Sequence, residues 1–208
     1  MNERIPLSEE EIEVIARLDK AGLLHDLDKE HFRGKEDVGA IFCPDGRWAI
    51  RGVIEPFIDM YDKKNTLCFL PLTEFGGTLI LDSDSPLLEK GSEQFPEGNK
   101  GDILLIGKIK KAVKMGYKAF CHINHLPCGM GRAFNIPPMH IVDSLVMAKH
   151  RIKTMEGIGK ITIASFLQIG DGNGHVRIAR IPFEDFLIWR KDNADGASLA
   201  MQRMLAMS

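Results

Sequence analysis

Tyr117-Lys-Ala-Phe-Cys121-His-Ile-Asn-His125-Leu-Pro-Cys128-Gly-Met-Gly131 opens as an apolar run and ends among a proline and two glycines, the pattern of a buried strand that turns into a loop. Just before it, Gly101-Asp-Ile-Leu-Leu-Ile-Gly-Lys-Ile-Lys-Lys-Ala-Val-Lys-Met115 has helical periodicity, with Lys108, Lys110 and Lys111 toward solvent and Gly116 as its stop. Before that helix, Thr66-Leu-Cys-Phe-Leu-Pro-Leu72 reads as a strand, and Pro71 suits a strand end or a sheet edge. A strand, a helix and a strand in this order imply a right-handed parallel crossover. The fold class is therefore α/β, with a mostly parallel central sheet of about four to five strands flanked by helices.

The rest of the chain fits that class. Val38-Gly-Ala-Ile-Phe-Cys43 is a short apolar run of the kind covered on both faces, stopped by Pro44 and Gly46. Trp48 to Tyr61 has helical spacing interrupted at Pro56. Pro137-Pro138 suits the first turn of a helix from about Met139 to Lys153. Lys160-Ile-Thr-Ile-Ala-Ser-Phe-Leu-Gln168 is a further strand, and Asp171-Gly-Asn-Gly174 is a hairpin turn into His175-Val-Arg-Ile-Ala-Arg-Ile181. Closing helices follow over Phe183 to Trp189 and Ala197 to Met207. At the other end, residues 1–36 form a helical arm: Ser8 and Glu11 make a capping box, and Ile12, Ile15 and Ala16 share an apolar face that needs a surface, either its own domain or a second subunit. Residues 76–100 are rich in turn formers and read as an insertion loop, a candidate lid, in which Asp82 and Asp84 belong to a solvated turn.

The chemistry-bearing residues collect at strand ends. Cys43-Pro-Asp45-Gly-Arg47 follows one strand, and His125 and Cys128 follow another. Alone, the first group reads as a buried cysteine beside a surface ion pair. If its strand lies beside the one ending near His125, however, both groups leave the sheet on one rim, where open α/β sheets bind ligands. Zinc takes thiolate and imidazole ligands tetrahedrally, and catalytic sites offer three protein donors. Cys43, His125 and Cys128 meet that specification. His122 falls on the opposite face of its strand and reads as a hydrogen-bonded core histidine; Cys68 and Cys121 read as buried apolar residues.

The pairing of Cys43-x-Asp45-x-Arg47 with His125-x-x-Cys128-Gly129 resembles the β-carbonic anhydrases, over about Val38 to Ile181. That resemblance implies a zinc ion held by Cys43, His125 and Cys128, an Asp45 and Arg47 dyad beside it, and reversible hydration of carbon dioxide to bicarbonate by zinc-bound hydroxide. It also implies a homodimer or higher homo-oligomer. The chain departs from the family pattern at Gly46, where a serine is usual, and at Thr73-Glu-Phe-Gly-Gly77, where the family has Arg-Asn-Ala-Gly. The distance from Cys43 to His125 is also longer than usual. These departures keep two other classes open: a zinc hydrolase of another small electrophile, such as carbonyl sulfide or carbon disulfide, and a non-catalytic zinc-binding protein.

Composition narrows the partners. With 208 residues, 44% of them hydrophobic and 27% charged, the chain is long enough for a single domain over 1–208. A net charge of -2 without a long basic run gives no footprint for nucleic acid or an anionic membrane, which leaves a small-molecule substrate. No stretch approaches the roughly 18 apolar residues of a membrane span, and Met1 to Leu7 lacks an apolar signal core, so a cytoplasmic protein is expected. Four cysteines are too few for a secreted disulfide scaffold, and a reducing compartment keeps them available to metal.

Overall fold

The computed structural model describes residues 5–27, 37–44, 68–88, 100–171 and 175–207. The helix expected over Trp48 to Tyr61, the dyad Asp45 and Arg47, and the tip of the 171–174 hairpin lie outside the described residues.

The described strands are β1 (His25–Asp26), β2 (Asp37–Phe42), β3 (Cys68–Thr73), β4 (Ala119–Leu126), β5 (Thr162–Gly170) and β6 (Val176–Arg180). They form one six-stranded sheet in the order β1-β6-β5-β4-β2-β3. β3, β2, β4 and β5 are mutually parallel, while β6 returns antiparallel to β5 and β1 lies antiparallel to β6. The sheet is mostly parallel as the apolar runs imply, and Pro71 does sit on an edge strand, where a missing N–H costs no ladder bond. The strand beyond the expected count is β1, whose 2 residues are too few to show any alternation.

The helices are α1 (Glu9–Lys20), α2 (Gly101–Lys114), the short α3 (Gly129–Ala133), α4 (Pro138–Thr154), α5 (Phe183–Asp192) and α6 (Leu199–Met207). Strand β4 is central, and all 8 of its residues are buried. On one of its faces Phe120 and Leu126 join Ile163 and Leu167 of β5, Leu105 and Ile109 of α2, and Leu145 and Ile141 of α4 in the main core. On the other, Ala119, Cys121 and Ile123 join Val38, Ala40, Phe42, Phe166 and Ile178. Each Val, Leu, Ile or Phe among them, fully buried, is worth about 1.5–3 kcal/mol. Close packing fixes Gly39 as well: a Cβ there would stand 2.5 Å from the ring of Phe120, its register partner on β4.

Helix α1 has the expected capping box, with Ser8 Oγ accepting from Glu11 N and Glu11 accepting from Ser8 N. Its buried face differs from the expected one. Glu11, Val14 and Leu18 are buried, with Ile15 partly so, whereas Ile12 is 53% exposed. The cause is electrostatic: Arg132 forms an ion pair with Glu11 and also donates to the carbonyl of Pro6, so the glutamate can turn inward and the helix rolls with it. The surface α1 lies on is α4 of its own chain. The helix itself therefore gives no reason to invoke a second subunit.

The first half of the 76–100 segment is part of the core rather than an exposed loop. Gly77–Leu81 and Pro86–Leu88 are 3-10 turns, and Thr78, Leu79, Ile80, Leu81, Asp82 and Leu87 are buried. Asp82 departs from the solvated-turn reading because it is buried, whereas Asp84 stands exposed in the turn as expected. Asp82 pairs with His140 of α4 at 3.0 Å, and Asp84 accepts from the backbone N–H of Ala200 at 2.6 Å, pinning the start of α6. Residues 89–99 lie outside the described residues.

Candidate metal site at the carboxyl rim

The strand order reverses between β2 and β4. From β2 the chain goes outward to the edge strand β3, then returns past β2 to β4 and continues to β5. Such a reversal leaves a crevice at the carboxyl ends of the two strands, the usual ligand position of open α/β sheets. Cys43 directly follows the last register pair, Phe42 with Ile123, and His125 is the second residue after Ile123. Both therefore stand on the same rim, at the reversal. Strand β4 runs through Leu126, so His125 still lies within the strand, paired with Gln168 of β5.

Cys43, His125 and Cys128 are buried, at 7%, 4% and 3% exposure. The last two make local bonds. His125 Nδ1 is 2.8 Å from the carbonyl of Pro127; since a carbonyl only accepts, Nδ1 carries a proton there. After the cis Leu126–Pro127 peptide, Cys128 caps α3, its Sγ accepting from Gly131 N at 3.3 Å. In donor type the set matches zinc, but the structure does not gather Cys43, His125 and Cys128 into one metal-holding group. Among the described residues, no three His, Cys, Asp or Glu are gathered into a group that could hold a metal ion.

Of the residues set aside as core, Cys121 and His122 are core. Cys121 is fully buried, and burial pushes its thiol far up, away from the thiolate that a metal needs. His122 is fully buried with Nε2 2.6 Å from Ser165 Oγ, while its Nδ1 has no hydrogen-bond partner. Burial, helped by the charge of Lys149, pulls this imidazole down to about 3, so it is neutral at ordinary pH.

Three polar features have no counterpart in the sequence reading. Asn124, beside His125, is buried and bonded to α4 and to the 77–81 turn. Asp143 and Arg190 form a buried ion pair. His140 pairs with Asp82. Burial opposes the charged form of His140, but the hydrogen bond and charge of Asp82, with the charges of Asp143 and Asp84, outweigh it and raise its pKa. A raised imidazole stabilises the fold fully below its ordinary value of 6.5, and that contribution is lost as pH rises through the folded-state value. His140→Gln is accordingly expected to lower Tm most in mildly acidic buffer, with the deficit narrowing toward alkaline pH. Thermal melts across pH check this, and a deficit independent of pH would refute it.

Comparison of the chain with family models, with curated proteins and with solved structures finds no match. No helix among the described residues is long and apolar enough to cross a membrane.

Proposed function

We propose that the chain is a zinc-dependent enzyme that reversibly hydrates carbon dioxide, with Cys43, His125 and Cys128 as metal ligands and Asp45 and Arg47 acting beside them. The observation that supports it most is the parallel adjacency of β2 and β4, which brings Cys43 and His125 to one rim at the reversal of strand order. The order of elements, from the strand before Cys43 to the hairpin before Val176, is also the order the β-carbonic anhydrase resemblance implies. Assembly into a homodimer and a cytoplasmic location belong to the same proposal and rest on sequence alone.

When bound, zinc would supply Lewis acidity that makes water a nucleophile, less readily under two thiolates than under neutral ligands, so activity is expected to climb toward alkaline pH. The chain's own groups do the rest. The Pro127 carbonyl would orient the His125 ring, and the Gly131 N–H, which donates to Cys128 Sγ, would orient that sulfur. Asp45 would accept a hydrogen bond from the attacking oxygen and turn its lone pair toward carbon. Arg47 would hold Asp45 by a charge-assisted bond and keep that carboxylate from competing for the metal. One C–O bond forms, one proton leaves, and the product is bicarbonate.

The test is stopped-flow carbon dioxide hydration on protein of measured zinc content. Turnover is expected to follow zinc. Arg47→Ala is expected to retain zinc and lose about 10- to 100-fold in activity, the usual cost of removing a group that orients a reacting one. Wild-type turnover in Arg47→Ala would refute the dyad. Zinc-loaded protein that leaves carbon dioxide unchanged but hydrolyses carbonyl sulfide or carbon disulfide would reassign the substrate, and zinc without turnover on any of them would make the site non-catalytic.

A further inference from the structure

The Thr73 to Gly77 segment, where this chain departs from the family pattern, lies against the rim just described. Lys108 of α2 donates to the carbonyl of Thr73 at 2.9 Å and pairs with Glu74, which anchors the start of the segment. Its end rests on the carboxyl end of β2. A Cβ at Gly77, where φ is +52, would stand 2.6 Å from the backbone N of Cys43 and 3.1 Å from the carbonyl carbon of Phe42. Backbone therefore lies on backbone, and only glycine allows the approach.

The next residue, Thr78, is fully buried and donates through Oγ1 to Oδ1 of Asn124. Asn124 immediately precedes His125. Its Nδ2 donates to the carbonyl of Ile141 and to Ser144 Oγ, each at 2.7 Å, and Ser144 Oγ donates in turn to Ile141 O at 2.8 Å. Because the Ile141 carbonyl can only accept, the amide of Asn124 has one orientation, and Thr78 must be the donor to its oxygen. One hydrogen bond thus joins the neighbour of His125 to the neighbour of the glycine seated on Cys43. Apolar side chains would fill this interior with no polar atom to satisfy, so a fully bonded polar network here adds geometric definition beyond burial.

We propose that Thr78, Asn124 and Ser144 are positioning residues that set the separation of Cys43 and His125 at the rim. The proposal rests on the zinc reading of those two residues. Thr78→Val keeps the shape of the side chain and removes the donor. It is expected to weaken zinc binding, measured by competition with a chromophoric chelator, by about 10-fold or more. In protein loaded with Co2+ as a probe, it is expected to change the visible absorption, which reports the geometry around the metal. Thr78→Ser, which restores the hydroxyl, should recover both.

Should Thr78→Val fail to fold, Ser144→Ala removes one acceptor from the other end of the network, and a weaker shift in the same two readouts is expected. A lowered Tm with unchanged zinc affinity and an unchanged cobalt spectrum would overturn the proposal, because the network would then serve stability alone. Wild-type protein that binds no zinc would overturn the zinc reading first and this inference with it, a result distinct from normal binding in the variants.

Discussion

Cys128→Ser is expected to strip most of the zinc from a protein that otherwise carries about one ion per chain. A serine hydroxyl stays protonated at neutral pH and is a poor ligand for a borderline-soft metal, so the loss should exceed the roughly 10- to 100-fold that follows removal of a group merely orienting a ligand. The substitution also separates metal loss from unfolding. Cys128 caps α3 by accepting from Gly131 N at 3.3 Å, and serine is among the preferred capping residues, so the local fold has reason to survive. Cys43→Ser should lose zinc in the same way. Cys121→Ser should not, because burial holds that thiol protonated within the strand. Metal analysis after gel filtration, with circular dichroism to verify folding, decides the matter. Full zinc content in Cys128→Ser would remove it from the ligand set, and loss of zinc in Cys121→Ser would point to a different set.

Those three outcomes bear on residues whose placement was unequally legible. Val38 to Cys43 and Tyr117 to Asn124 declared themselves as buried strands through continuous apolar runs, and their carboxyl ends carried the candidate ligands into loops. Their adjacency was not legible, because an apolar run records that a strand is covered on both faces and says nothing of which strand lies beside it. It became visible only in the register of Phe42 with Ile123. The same limit hid the polar contacts. Asp82 and Asp84 look like turn residues because their partners, His140 and Ala200, are 58 and 116 residues away. Helix α1 shows how a single ion pair outweighs a hydrophobic count: the apolar spacing favoured Ile12, but neutralisation of Glu11 by Arg132 turned the Glu11, Val14 and Leu18 face inward. Asn124 carried a signal, a carboxamide inside an otherwise buried strand, although only its three partners say what it does.

The largest expected effect on stability lies away from the rim, at Arg190 and Asp143. Their side chains are 0% exposed and meet as a two-point pair, Nε to Oδ1 at 2.9 Å and Nη2 to Oδ2 at 3.0 Å, joining α5 to α4. The remaining guanidinium nitrogen donates to the carbonyls of Asn193 and Asp195, so the arginine also closes the end of α5. A buried pair owes little net stability to its attraction, since desolvation of both charges opposes it, yet removing one partner strands the other. Arg190→Met and Asp143→Leu are each expected to cost about 3–5 kcal/mol, a large share of the roughly 5–15 kcal/mol that holds a typical domain folded. The joint replacement Asp143→Leu with Arg190→Met should cost clearly less than the sum of the single changes, because neither charge is then left alone. The pH dependence has a definite sign. Burial pushes the Asp143 carboxyl up, against the hydrogen bonds and charge of Arg190, and without Arg190 only the charge of His140 opposes that rise. A carboxyl raised in the folded state takes up a proton on folding, so the deficit of Arg190→Met should shrink as pH falls. Denaturant titrations of the three variants at neutral and acidic pH measure all of this. Single-variant losses below about 1 kcal/mol, within the range of exposed pairs, would show that the pair is not the internal clamp its geometry describes.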